Sequence, residues 1–264
     1  MKNTIGLTIV SSIILCGFTG DVRIKTPSSG AISQTVSGGI LAPPVAFSPA
    51  SLPNLEMWLD AADTSTITDT SGAVTQWDDK SGNGFDVAQS SPPLRPTTNA
   101  STQNGHNVID FSDSVLELVA DGIAQPLSVF IVHVHTDLSG TSGTEYPFRQ
   151  KAAGSSFIMR KVAVANTMQW RAGTTLTTDD AVTSGYHAWE IRANGASSTL
   201  YLDGVAEDTG DPGTNGFEPI LMGGQPDAAQ PLVGSIAEFF VVTGTITAAT
   251  RGRIQTYFEH KWGI

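Results

Sequence analysis

From Leu52 onward, apolar and polar residues alternate along short segments, and Gly, Asn, Asp, Pro and Ser separate one segment from the next. Period-two alternation sends successive side chains to opposite faces of an extended chain, so the pattern predicts strands with one buried face. Candidate strands lie at Met57–Asp60, Val74–Asp78, Asn107–Phe111, Leu127–His135 and Ser156–Val164. Others follow at Met168–Arg171, His187–Ala193, Thr199–Asp203, Pro219–Met222 and Ser235–Val242. So many strands exceed one open sheet, whereas two packed antiparallel sheets would bury one face of each. Asn194-Gly195 and Asp203-Gly204 fall at strand ends, where the positive φ of tight hairpins is needed. Only near the C-terminus does the period change: Ile254, Tyr257, Phe258 and Trp262 keep helical spacing and predict a helix over Ala248–Lys261 that caps the sandwich.

Residues 1–51 follow another pattern. Their charges are Lys2, Asp21, Arg23 and Lys25, and they contain no tryptophan, which predicts an arm and linker rather than a second core. The apolar stretch Ile5–Leu15 has the length of a signal-peptide core and falls short of a membrane span. Thr8, Ser11 and Ser12 dilute it, Gly17 and Thr19 fit a cleavage site only loosely, and Leu15 stands before Cys16 where a lipoprotein signal places a small residue. Two readings stand: a cleaved signal over residues 1–19, or a retained β-forming arm. Residues 26–51 are rich in Ser, Gly, Pro and Ala and read as an extended linker.

Charge narrows the partners. The net charge is −11 with 14 basic residues, so the long-range field repels a phosphate backbone and an anionic membrane, and neither nucleic acid nor a membrane is the expected partner. Cys16 is the one cysteine, so the core has no internal disulfide and must hold by packing.

Four stretches then carry a likeness: Leu55-Glu-Met-Trp-Leu-Asp-Ala-Ala-Asp63, Trp77-Asp-Asp-Lys-Ser-Gly-Asn-Gly84, Tyr186-His-Ala-Trp-Glu190 through Leu200-Tyr-Leu-Asp-Gly204, and Arg253-Ile-Gln-Thr-Tyr-Phe-Glu-His-Lys-Trp-Gly263. In this order they resemble the concanavalin A-like lectin/glucanase superfamily, in particular the laminin G-like domains of phage and bacterial structural proteins. The resemblance implies an all-β fold over residues 52–264: a jelly-roll sandwich of two antiparallel sheets with a short C-terminal helix, preceded by the extended N-terminal arm. It also implies a concave face or rim that binds carbohydrate or protein. Because this fold hosts many functions, the site has to decide which.

Hydrolases of the superfamily set two carboxylates on alternate residues of one strand, at the separation that retaining hydrolysis needs. No Glu-x-Asp-x-Glu run occurs; Glu190 and Glu238 stand alone and Asp78-Asp79 are adjacent, so no enzyme is expected. His133-Val-His135-Thr-Asp137 places two histidines on one strand face, a start toward metal chelation. Leu138 ends the likeness to a metallo-β-lactamase motif, and His106, His187 and His260 form no ligand-like group. The preferred reading is a strand that buries Phe130, Val132 and Val134 and turns the histidines the other way. Laminin G-like domains often hold a structural calcium at the rim, for which Asp60, Asp63, Asp78 and Asp110 are the weak candidates; no other cofactor is expected. For a glycan, aromatic faces beside planar hydrogen-bonding groups are needed, and Tyr146, Arg149, Arg160 and Trp170-Arg171 offer them. The tryptophans Trp58, Trp77, Trp189 and Trp262 read as core.

The expectation is a non-enzymatic virion structural protein: a phage decoration, fibre or tail-associated component. Its sandwich is displayed on the virion surface and open to host glycans, and the arm docks on neighbouring proteins by adding strands in a homo-oligomer or larger assembly. The alternative is a secreted or lipid-anchored bacterial carbohydrate-binding or adhesion protein.

Overall fold

The computed structural model describes residues 47–264 apart from 119–121, 139–142, 152–156, 164, 218 and 225–229. The signal-like segment, Cys16 and nearly all of the arm lie outside the described residues. In chain order the strands are β1 Leu55–Asp60, β2 Ile67–Thr70, β3 Ala73–Trp77, β4 Val87–Ala88, β5 Thr97–Gln103, β6 His106–Phe111, β7 Leu116–Leu118 and β8 Leu127–His135. They continue as β9 Glu145–Gln150, β10 Phe157–Lys161, β11 Thr167–Ala172, β12 Thr175–Ala181, β13 His187–Ala193, β14 Ser198–Leu202, β15 Val205–Gly210, β16 Ile220–Met222 and β17 Gly234–Thr243. One helix, α1, Ala248–Trp262, closes the chain.

The protein is an all-β sandwich. A front sheet runs β1-β17-β8-β13-β14-β15 and a back sheet β2-β3-β4-β7-β16-β9-β10-β11-β12, with antiparallel pairing throughout. Strands β5 and β6 join the sheets along one side, since β6 pairs with the first residues of β17 and β5 meets β3. On the other side β12 approaches β15, where the Thr177 N–H donates to Asp208 Oδ2 at 3.0 Å, so the sheets nearly close. β17 has neighbours on both sides from its first residue. A Cβ on Gly234 would stand 1.9 Å from the Val134 carbonyl oxygen, which is why that position takes glycine.

Two cores result. Between the sheets lie Met57, Leu59, Ile131, Trp189, Phe239 and Val241 of the front sheet against Trp77, Phe148, Phe157, Met159 and Trp170 of the back. Beneath α1, on the far side of the front sheet, Trp58, Phe130, Val132 and Phe240 pack with Ile254, Phe258 and Trp262. A strand buried on both faces loses its polar alternation. Every residue of β8 is buried for this reason, whereas β11, with one face in the core, alternates strictly.

Helix α1 forms where its local signals agree. Thr247 caps the start, its Oγ1 accepting the Thr250 N–H at 3.1 Å, and Gly263 at φ 68° ends it in the left-handed conformation. His260 and Lys261 in the last turn complement the helix dipole. Ile254, Phe258 and Trp262 share the buried face, each contributing roughly 1.5–3 kcal/mol by leaving water. No helix among the described residues is long and apolar enough to cross a membrane.

Candidate ligand-binding face

The far face of the back sheet is built by register. Ile158 of β10 stands opposite Arg149 of β9 and Arg171 of β11, and Arg171 opposite Thr175 of β12. Two residues on, Arg160, Gln169 and Thr177 form the neighbouring row. The alternate residues Phe148, Phe157, Met159, Met168, Trp170 and Leu176 point into the inter-sheet core, so these rows face away from it. An irregularity between β9 and β10 pairs Met159 with Phe148 but Lys161 with Glu145. The extra residue in β9 leaves Tyr146 on the Arg149 side, where the guanidinium lies 5.3 Å from the ring centre.

Tyr146, Arg149, Arg160 and Arg171 therefore share one face, and Trp170 does not; the Tyr146 ring is itself buried, at 7% exposure, so it backs the arginines and offers no open stacking surface. Trp170 is fully buried with its ring edge-on to Phe157 at 5.7 Å, so it is a core residue and offers no exposed stacking surface. Strict alternation makes this unavoidable: residues flanked by outward Gln169 and Arg171 must point inward. Gln169 was not singled out in the sequence, yet its Oε1 accepts from Arg160 Nε at 2.9 Å and fixes that arginine. The Arg171 Nε likewise donates to the Gly173 carbonyl at 2.9 Å.

The four aspartates considered for calcium do not converge. Asp60 holds Lys80 at 2.9 Å and Lys261 at 2.6 Å, while Asp63 meets Lys80 at 2.8 Å, a hydrogen bond that keeps its carboxyl below the ordinary range. Asp78 accepts from Gln76 and Asp110 from Ser235. Among the described residues no group of three or more His, Cys, Asp or Glu side chains could hold a metal ion.

Glu190 and Glu238 face away from the inter-sheet core, but α1 covers them. Glu238 is fully buried and accepts from Trp58 Nε1, Trp262 Nε1 and Tyr257 Oη at 2.7–2.8 Å, with Lys261 Nζ at 3.1 Å. Burial pushes its carboxyl above the usual range against the pull of Lys261. Glu190 pairs with Arg251 Nε at 2.5 Å, and burial raises it too. Both carboxylates fasten the helix to the sheet.

The histidines do turn away from Phe130 and Val132, but into the inter-sheet core. His135 Nδ1 meets Glu145 Oε2 at 2.8 Å, Glu145 Oε1 meets Lys161 Nζ at 2.6 Å, and Lys161 also donates to the Asp137 carbonyl. His133 Nε2 lies 3.2 Å from His135 Nε2. Burial lowers the pKa of both rings. With both neutral, His135 donates through Nδ1, so its Nε2 must accept and His133 Nε2 must donate. His133 Nδ1 is then a bare acceptor, and it has no partner among the described residues. The chain of four polar groups has no opening to solvent: all are at most 1% exposed. Glu145 and Lys161 were invisible in the sequence because a Lys–Glu pair across two strands has no local signature.

No known protein family matches the chain, and no curated protein does. Solved structures do. The binding domain of Paraclostridial Mosquitocidal Protein 1 superposes with a TM-score of 0.56 at 13% identity, over 78% of this chain and 52% of that one. The receptor binding domain of botulinum neurotoxin mosaic serotype C/D gives 0.54 at 14% identity, over 79% and 51%. Trypanosoma rangeli sialidase gives 0.52 at 8%, over 79% and 33%. These are likenesses of fold. The chain spans about half the length of the two toxin domains and a third of the sialidase.

Proposed function

We propose that this protein is a non-enzymatic binding module whose sandwich takes up a glycan on the far face of the back sheet. The observation that carries the reading is the meeting of Tyr146, Arg149, Arg160, Gln169 and Arg171 on one sheet face, while α1 lies on the other sheet. Planar guanidinium and amide groups suit sugar hydroxyls. The fold shared with toxin receptor-binding domains supports the same reading, as does the laminin G-like motif order. The carboxylates nearest to a hydrolase pattern, Glu190 and Glu238, are committed to Arg251 and to the helix, which favours binding over turnover.

The setting we propose is the surface of a virus particle, with residues 1–51 joining the module to neighbouring subunits in a larger assembly. The apolar stretch Ile5–Leu15 favours a second setting, a secreted or lipid-anchored bacterial surface protein. Mass spectrometry of the native N-terminus separates the two: an intact Met1 or Lys2 on a particle supports the first, and a start after the apolar stretch supports the second. For binding itself, an oligosaccharide array probed with wild type and a Tyr146→Ala, Arg149→Ala double variant is decisive. Signal on the wild type that the variant loses is expected. No signal on any glycan would sink the reading.

A further inference from the structure

The face described above gathers two guanidiniums, Arg160 and Arg171, that no carboxylate neutralises among the described residues. Every lysine among the described residues, Lys80, Lys151, Lys161 and Lys261, is ion-paired. Arg95, Arg192 and Arg253 stand singly without an ion pair among the described residues, whereas Arg160 and Arg171 do so side by side on one face: each anchors its Nε to a neutral oxygen, of Gln169 and of Gly173, and neither has a carboxylate within 4 Å among the described residues. Anchoring Nε fixes the guanidinium plane and directs its terminal amino groups to other partners. Among the described side chains, Glu117, opposite Leu221 on this face, is held by Lys151 at 2.6 Å, and Asp208 at its edge accepts the Thr177 N–H at 3.0 Å. Arg149 flanks the same row, and since adjacent strands lie about 4.8 Å apart, its Cα stands about 10 Å from that of Arg171.

Resting on the glycan-binding reading, we propose that the ligand is an acidic glycan whose carboxylate or sulfate groups are taken by Arg160 and Arg171, with Arg149 beside them. Fixed guanidinium forks match the oxygens of both groups, and a bidentate pair is stronger than a neutral hydrogen bond. The surrounding chemistry favours a sugar over a plain anion: the Gln169 amide and the Thr175 and Thr177 hydroxyls lie on the same face. The net charge of −11 selects further. A dense polyanion such as nucleic acid meets a repulsive field everywhere beyond this patch, whereas an oligosaccharide with spaced charges meets only the arginines.

Titration calorimetry of the full chain against three probes tests this: a neutral galacto-oligosaccharide, an oligogalacturonate and a sulfated galactan oligosaccharide. An acidic probe is expected to bind at least about tenfold more tightly than the neutral one, more weakly as salt rises, and the tighter of the two acids identifies the group recognised. Arg160→Gln and Arg171→Gln are each expected to weaken it about tenfold, with unchanged circular dichroism. Arg171→Lys, which keeps the charge and loses the fork, falls between. Arg253→Gln, an exposed cation on α1 over the Phe47 ring, leaves binding unaltered. Equal weakening by Arg253→Gln would show diffuse attraction and overturn the assignment. Neutral and acidic probes bound alike, with the arginine variants silent, would overturn it while leaving glycan binding intact. Failure of all three probes, together with an empty array, would remove glycan binding itself.

Discussion

The two sheets share one core and differ in what their far faces meet. The front sheet's far face is roofed by α1, and the carboxylates there are engaged: Glu238 is ringed by two indoles, a phenol and an ammonium, and Glu190 is clamped by Arg251, while Arg192 on the same strand donates to the neutral oxygens of Ser197 and Thr199. On the far face of the back sheet, Arg160 and Arg171 are anchored, among the described residues, through Nε to neutral oxygens. A buried charge without partners is strongly unfavourable, so the front face could accept carboxylates only with a full set of donors. A half-buried arginine keeps partial hydration and needs no such set. The carboxylates of the first face hold the fold; under the proposed function, the guanidiniums of the second are available to a ligand.

The largest effect that breaks this contrast is expected from Glu238→Ala. It removes the acceptor of Trp58, Trp262 and Tyr257 while Lys261 keeps Asp60, and two buried indole N–H groups left without a partner, with the space the side chain vacates, cost about 3–5 kcal/mol together. Urea denaturation should show a lower midpoint of that size; a change under about 1 kcal/mol would mean that the helix is not fastened through this carboxylate. Trp170→Ala, next in size, removes a core ring and should cost about 3–5 kcal/mol, whereas Tyr146→Ala, on the opposite side of the same sheet, should cost less. Equal losses would contradict the assignment of the two faces.

Acid sharpens the contrast within the shared core. His133 and His135 are held neutral by burial, with folded pKa values below the value of about 6.5 expected in the unfolded chain. Below that pH the unfolded chain binds more protons than the native one, so the stabilisation present above pH ~6.5 is lost progressively toward the folded pKa values. Glu190 and Glu238, raised by burial, act with the opposite sign and gain relative stability as pH falls toward about 4.5. Thermal melts between about pH 7.5 and 5.5 should therefore show a falling Tm in wild type, and a flatter profile in His133→Leu. An unchanged slope would place the proton uptake elsewhere.

Much of this architecture was legible along the chain, and what escaped has a common cause. Leu127–His135 and His187–Ala193 were read to the residue, and α1 to within one, because apolar periodicity and Asn-Gly or Asp-Gly turns mark them locally. The strands that went unread were β2, β4, β5, β7, β9, β12 and β15. Several, such as β5 with Thr97–Gln103 almost wholly exposed, bury too little for a pattern to form. Others, such as β9, are buried nearly throughout and do not alternate. For the candidate face, Tyr146, Arg149 and Arg160 could be picked out by residue type, but which side of the sheet each occupies depends on an irregular register that only pairing partners define. Trp170 shows the limit: its chemistry suggested a sugar platform, and its parity within β11 makes it core.

The smallest effect is the most diagnostic of the open face. Arg160 and Arg171 contribute one hydrogen bond each, from Nε to a neutral oxygen, and no ion pair among the described residues. Substitution by glutamine, away from any core contact, should change stability by no more than about 0.5 kcal/mol. Removing a positive charge from a chain of net charge −11 adds slightly to self-repulsion, so what change there is should be destabilising and shrink with added salt. If instead either variant lost about 2 kcal/mol or more, the arginine would be a fold-holding group like Arg251, and the difference between the two faces would disappear.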